Sequence, residues 1–198
     1  NHNKSSNCNN GVFKFDFQIK ITNVNITTNT ITGCQPLTVN FNNSSYTSGT
    51  FTWNFGGGNT NTTSINPSFT YTNPGTYTVS LVVRDTSSCN KIDSSFTYIT
   101  VYPGVNVSAT ASLVPCSDTV KYNGNAVTSG TLSTFQWTFG SGSISTSTLT
   151  NPINTYTAAG TYTAQLLAIT NNGCRDSVVV PVTMSVIIPS VNSGTMCQ

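Results

Sequence analysis

Phe51-Thr52-Trp53-Asn54-Phe55-Gly56-Gly57-Gly58 is followed by Asn66-Pro67-Ser68-Phe69-Thr70-Tyr71 and then by Pro74-Gly75-Thr76-Tyr77-Thr78-Val79. The same text recurs later as Phe135-Gln136-Trp137-Thr138-Phe139-Gly140-Ser141-Gly142, Asn151-Pro152-Ile153-Asn154-Thr155-Tyr156 and Ala159-Gly160-Thr161-Tyr162-Thr163-Ala164. Trp53 and Trp137 set the period at 84 residues. Self-similarity at a fixed spacing means one structural unit copied in tandem, so this chain is an array.

Working outward from these copies, apolar residues alternate with Thr, Ser and Asn over Leu37 to Phe41, Phe51 to Phe55, Tyr77 to Val83 and Phe96 to Val101. The second copy repeats the pattern over Thr119 to Tyr122, Phe135 to Phe139, Tyr162 to Ile169 and Val178 to Val182. Period-two alternation is the mark of a strand with one buried face, and Gly, Pro and Asn clusters between the runs leave no room for a helix. The predicted class is all-β: antiparallel sandwiches of about seven strands each, strung as beads. The inward faces should carry Val39, Phe41, Phe51, Trp53, Phe55, Tyr77, Val79, Leu81 and Val83, then Val120, Tyr122, Phe135, Trp137, Phe139, Tyr162, Ala164, Leu166 and Ala168. Residues 23–103 form the first sandwich and 104–188 the second, with 1–22 ending a preceding repeat and 189–198 beginning a following one. Tyr102-Pro103-Gly104 and Ile188-Pro189-Ser190 are the expected hinges.

The six cysteines fall into two phase-locked series: Cys34, Cys116 and Cys197, and Cys8, Cys89 and Cys174. One disulfide per repeat follows, Cys34 with Cys89 and Cys116 with Cys174, which leaves Cys8 and Cys197 for partners in neighbouring repeats or subunits. No CxxC pair exists and His2 is the sole histidine, so zinc is not expected. Disulfides place the chain in an oxidising, extracytoplasmic compartment.

Composition narrows the function further. Thr, Ser and Asn make up 85 of 198 residues, 6% are charged, and the net charge is +2. Five Lys and two Arg are scattered without a basic stripe, so no nucleic-acid partner is expected. No apolar run approaches the roughly 20 residues of a membrane span, so no membrane insertion is expected. Catalysis lacks materials: no Glu, one His and five separated Asp offer neither a triad nor a carboxylate pair. Asp85, Asp93, Asp118 and Asp176 read as caps and turn-makers. Trp53 and Trp137 read as core residues, and Tyr77 and Tyr162, after Gly-Thr, as tyrosines that brace a sandwich corner through their hydroxyls.

Near the start, Phe13, Phe15, Phe17, Ile19 and Ile21 share one face of a strand whose other face carries Lys14, Asp16, Gln18 and Lys20. This is the register of a repeat's last strand. One reading is the end of an upstream domain; the other is a donor strand that completes a neighbouring molecule's sandwich in a filament.

The Trp-x-Phe-Gly-x-Gly, Asn-Pro-x-x-x-Tyr and Gly-Thr-Tyr-Thr segments, in this order, resemble the PKD (polycystic kidney disease) domain, over about residues 24 to 187. The resemblance implies an immunoglobulin-like sandwich. The cysteine pair and the Thr/Asn-rich idiom are similar to PKD arrays in giant Bacteroidetes surface proteins, including gliding adhesins and type IX secretion substrates. Family members often place Asp after the Trp and after the first Gly, where this chain has Asn54 and Gly57, or Thr138 and Ser141. The carboxylates that would hold calcium are missing, so neither metal nor cofactor is expected. Asp118-Thr119-Val120 and Asp176-Ser177-Val178 resemble the O-glycosylation signal of that group, which nominates Thr119 and Ser177. The implied role is a non-catalytic stalk, spacer or adhesin segment at the bacterial cell surface. Its expected partners are neighbouring repeats or identical subunits, with surface glycans or other surface proteins as candidates. The alternative is a carbohydrate- or protein-binding accessory module of a secreted hydrolase, for which exposed aromatics clustered on one face would be the sign.

Overall fold

The computed structural model describes residues 23–45, 49–61, 63–115 and 117–185. It divides into two compact units, one ending at Val101 and the other beginning at Tyr102. Every regular element among the described residues is a strand.

In the first unit, β1 (Ile26–Thr28), β3 (Leu37–Asn43) and β6 (Ser68–Tyr71) make one sheet in the order β1-β3-β6. The facing sheet has the order β2-β8-β7-β4-β5, from β2 (Thr32–Cys34), β4 (Thr50–Asn54), β5 (Thr60–Asn61), β7 (Gly75–Arg84) and β8 (Ile92–Tyr102). The chain thus enters on one sheet as β1 and crosses to the other as β2. The long β7–β8 hairpin pairs Gly75 with Val101 and Arg84 with Ile92. Between the sheets lie Val39, Phe41, Trp53, Phe55, Val79, Leu81, Val83, Ile99 and Val101, all buried.

The second unit repeats the scheme with β9 (Asn106–Leu113), β10 (Thr119–Val127), β11 (Leu132–Phe139), β12 (Thr146–Ser147), β13 (Ile153–Thr155), β14 (Gly160–Thr170) and β15 (Arg175–Met184). Its sheets are ordered β13-β10-β9 and β12-β11-β14-β15. Here β9 stays with β10 along its whole length, Val107 opposite Ala126 and Leu113 opposite Val120. Its core gathers Val120, Tyr122, Trp137, Phe139, Tyr156, Ala164, Leu166, Ala168, Val180 and Val182. Both units are immunoglobulin-like β-sandwiches.

Each tryptophan lies between the sheets for a readable reason. In alternating strands, Trp53 and Phe55 point the same way and stack with rings 6.3 Å apart and 7° from parallel; Trp137 and Phe139 do so at 6.0 Å and 6°. Both tryptophans are fully buried. The packing around Trp137 is tight enough to require a glycine opposite it, since a Cβ on Gly124 would come within 2.8 Å of the indole.

Candidate functional site

Four sets of residues could carry chemistry: the glycine-rich loop after each tryptophan, the aspartates, the buried tyrosines and the cysteines.

In the first unit the loop is closed by its own groups. The Gly56 amide donates to Asn54 Oδ1 at 2.9 Å, the Phe55 amide to the Asn59 carbonyl at 2.9 Å, and the Asn59 amide to the Gly56 carbonyl at 3.3 Å. Gly56, Gly57 and Gly58 all have positive φ (87°, 62° and 85°), which is why three glycines stand there. The second unit solves the same loop differently. Asn154, fully buried, takes the place of Phe69 and reaches across: Oδ1 accepts from the Ser143 hydroxyl at 3.0 Å and the Ile144 amide at 3.1 Å, while Nδ2 donates to the Ser141 carbonyl at 3.0 Å. A Cβ on Gly142 would lie 2.5 Å from this amide. The ligands on offer in both loops are neutral amides, hydroxyls and carbonyls. Among the described residues, no group of three or more His, Cys, Asp or Glu could hold a metal ion.

The aspartates work on backbone. Asp93 Oδ2 accepts from the Val24 amide at 3.3 Å and Oδ1 from the Ser94 amide at 2.9 Å. Asp176 repeats this with Val107 at 2.8 Å and Ser177 at 2.8 Å. In each unit a carboxylate on the last strand straps down the entry of the first, 69 residues earlier. Asp85 is buried and accepts from the Ser87 amide and hydroxyl at 2.9 and 2.5 Å, closing the β7–β8 turn. Asp118 holds the second unit through its carbonyl, which accepts from the Tyr156 amide at 2.9 Å.

Two tyrosines brace corners. Tyr77 donates to the Asn73 carbonyl at 2.9 Å and Tyr162 to the Ala158 carbonyl at 2.8 Å, each four residues back. Beneath them lies a second tyrosine layer, of which sequence reasoning placed Tyr122 on the inward face but not Tyr71 or Tyr156. Tyr71 is buried and donates to the Phe55 carbonyl at 3.1 Å; its phenol is pushed up to about 12, first by burial and then by the neighbouring Tyr77. In the second unit, the buried Tyr122 and Tyr156 hydroxyls meet at 2.7 Å. Burial and that hydrogen bond raise the Tyr122 phenol well above the usual range. The signal was present, since the Asn-Pro-x-x-x-Tyr segment puts Tyr71 and Tyr156 in step with the inward face.

Cys34, Cys89 and Cys174 are each disulfide-bonded. The expected pairing of Cys34 with Cys89 inside one sandwich is corrected by the topology. Thr100 donates its amide to the carbonyl of Ile31, which puts Cys34 at the Val101 end of β8, whereas Cys89 sits in the turn before Ile92. From Ile92 to Thr100 the strand runs about 26 Å. Bridged Cα atoms lie within about 7 Å of each other. Phase-locked spacing shows that two residues recur, without showing that they meet. Cys116, Cys8 and Cys197 lie outside the described residues, as do Phe13, Phe15, Phe17, Ile19 and Ile21.

The nominated modification sites differ in setting. Ser177 is exposed and accepts from Gln165 Nε2 at 3.3 Å, while Thr119 is half-buried at the start of β10 opposite Thr155. A shallow cavity of about 340 Å³ lies beside Ser141, Gly142, Ser143, Tyr156 and Tyr162, and one of about 320 Å³ beside Asn125, Leu132 and Phe135. Their walls carry no acid or base other than tyrosine. The feature that the sequence reading did not mark lies on the outside of the first unit, where Phe96 and Tyr98 are 63% and 56% exposed.

A family model described as PKD domain matches residues 23–101 and again 100–186. No curated protein matches the sequence. Solved structures that match the chain include a carbohydrate-binding module of the beta-sandwich superfamily (19% identity, 76% of this chain, TM-score 0.38). This chain spans 59% of that module's chain. Others are an amphioxus IgVJ-C2 molecule (14% identity, 78% of this chain and 100% of that one, TM-score 0.35) and a tetra-tandem repeat from the extending region of a large adhesion protein (16%, 83% and 49%, TM-score 0.31). At these TM-scores none of them bears on function.

Proposed function

The chain belongs to the PKD domain family, in two tandem copies, and from that premise we propose that it is a non-catalytic, extracellular structural and adhesive segment of a bacterial surface protein. One observation carries the reading. What the two copies hold in common is hardware for standing up: the Trp–Phe stack, the corner tyrosine and the aspartate strap at 69 residues. Among the described residues, the one carboxylate that recurs between them is the strap Asp93/Asp176, which is bonded to backbone amides. A surface rich in Thr, Ser and Asn with few charges suits a spacer that many copies can extend, and disulfide-bonded cysteines suit an oxidising compartment.

Within this reading the parent is a Bacteroidetes-type adhesin, exported by the type IX route and serving as stalk or filament, with gliding as one setting. Its partners are neighbouring repeats or identical subunits, reached through cysteines at either end of a unit. Thr119 and Ser177 are candidate O-glycan acceptors, Ser177 being the accessible one. The accessory-module reading draws on one observation, the exposed Phe96 and Tyr98.

Antibodies against the two sandwiches should label intact, unpermeabilised cells of the source organism. Labelling that appears only after lysis overturns the proposal.

A further inference from the structure

The outward face of the β8-β7-β4 sheet in the first unit breaks the chain's own surface rule. Along β8 the outward positions are Ile92, Ser94, Phe96, Tyr98 and Thr100. Across the sheet, Phe96 lies opposite Ser80, which lies opposite Asn54; Tyr98 lies opposite Thr78; Ile92 lies opposite Arg84. Ile92, Phe96 and Tyr98 are 49%, 63% and 56% exposed. Two rings therefore stand side by side in water, with hydroxyl and amide groups one and two strands away, about 5 and 10 Å.

The second unit is an internal control. By register its counterparts of Phe96 and Tyr98 are Val179, opposite Gln165, and Pro181, opposite Thr163. The sandwich forms with those residues, so the fold does not require aromatic rings there. Leaving them in water costs hydrophobic free energy, and a patch of this kind is often a contact surface.

We propose that this face binds a single chain of a neutral polysaccharide, the rings packing against the C–H faces of sugar rings while Ser80, Thr78 and Asn54 exchange hydrogen bonds with sugar hydroxyls. Charge selects a neutral ligand, because Arg84 is the only charged side chain among the outward positions of β8, β7 and β4. Size argues against a second protein: at these exposures the three side chains offer roughly 300 Å², short of the about 800 Å² per partner of a stable protein interface. Ring geometry selects an isolated chain over a crystalline one. Phe96 and Tyr98 meet at 5.9 Å with planes 72° apart, edge to face, whereas a flat crystalline surface calls for coplanar rings. The inference deepens the adhesive half of the function proposed above and rests on it only for the ligand's setting.

The test is affinity electrophoresis of the 198-residue chain in native gels containing hydroxyethyl cellulose, xyloglucan, galactomannan or laminarin, all soluble and neutral. The parent chain should be retarded by at least one of them. Phe96→Val and Tyr98→Thr, which bring in residue types that strands of this chain already carry outward, should each weaken binding at least about tenfold with the melting temperature held. Tyr98→Phe should retain binding, and Val179→Ser on the other unit should leave it unchanged. Retardation by none of the four polymers, or equal retardation of the Phe96→Val/Tyr98→Thr double variant, overturns the proposal. So does a Phe96-dependent dimer in sedimentation, which would assign the face to a second copy. None of these results touches the cell-labelling outcome on which the surface reading stands.

Discussion

Replacing each tryptophan by phenylalanine should cost the two sandwiches different amounts, although the residues occupy the same place. Both indoles are fully buried and both stack on a phenylalanine two residues on. Trp→Phe removes a similar area and leaves a similar void at either site, so the packing losses largely cancel in the comparison. The polar terms do not cancel. Trp53 Nε1 donates to the Ile65 carbonyl at 3.2 Å, and that bond is lost in Trp53→Phe, at about 0.5 to 1.5 kcal/mol. Trp137 Nε1 is buried without a hydrogen-bond partner. Removing an unsatisfied buried donor returns part of its desolvation cost of about 1 to 3 kcal/mol. Trp53→Phe should therefore destabilise its unit by about 1 to 3 kcal/mol more than Trp137→Phe does. In domains of this size each kcal/mol moves the midpoint by about 4 to 8 °C. Because the chain has two tryptophans, each variant keeps one, whose fluorescence follows the unaltered unit while calorimetry follows both. Equal losses, or a larger loss at Trp137, would refute this account of the two sites.

Trp137→Ala should remove about 3 to 5 kcal/mol, most of what a small sandwich has, as measured by urea unfolding. Above pH 10 stability should fall. Tyr71 has its folded-state phenol raised to about 12 against 10 in the unfolded chain, so the native state holds its proton longer; the stabilisation is complete below pH 10 and lost as pH rises towards 12. Absorbance titration at 295 nm should show Tyr71 and Tyr122 ionising only as the chain unfolds, and their titration with the exposed tyrosines would contradict the burial argument. Chelation should leave the melting temperature unchanged, since Asn54 and Asn154 close the loops with amides; a drop restored by Ca²⁺ would reveal a carbonyl-built site. Non-reducing peptide mapping should return no Cys34–Cys89 linkage, and its recovery would overturn the strand order drawn here.

The fold was legible because it rests on period and alternation. Trp53 and Phe55 two residues apart, or Val79, Leu81 and Val83 in step, leave one way to bury a face. The strands that escaped notice are those whose inward side chains are small, such as Val107, Ala109 and Ala111. β9, Asn106–Leu113, runs through Val-Ser-Ala-Thr-Ala-Ser and is held by its ladder to β10 rather than by large side chains. The cysteines were misread for a related reason: spacing along the chain gives phase and carries no information about which end of a hairpin a residue reaches. Phe96 and Tyr98 were invisible for the opposite reason, because an aromatic in an alternating run reads as strand on either face, and only the register with Ser80 and Thr78 puts these rings outside.

The two copies amount to a substitution experiment on one architecture. Where Phe69 stacks on Phe55 at 4.8 Å in the first unit, Asn154 holds the loop in the second through hydrogen bonds. Where Tyr71 reaches the Phe55 carbonyl, Tyr156 reaches Tyr122. Such exchanges are coupled: Asn154 in an otherwise apolar layer would be costly without Ser141, Ser143 and the opened Gly142 to satisfy it. Asn154→Phe alone should therefore destabilise the second unit, for the ring would displace the loop that the amide organises. By contrast, Phe96 and Val179, or Tyr98 and Pro181, stand at outward positions, facing Ser80 and Gln165 or Thr78 and Thr163 across the sheet. Differences inside a sandwich come in matched sets because close packing couples them; a difference on the outward face meets fewer neighbours and is freer to answer to a ligand.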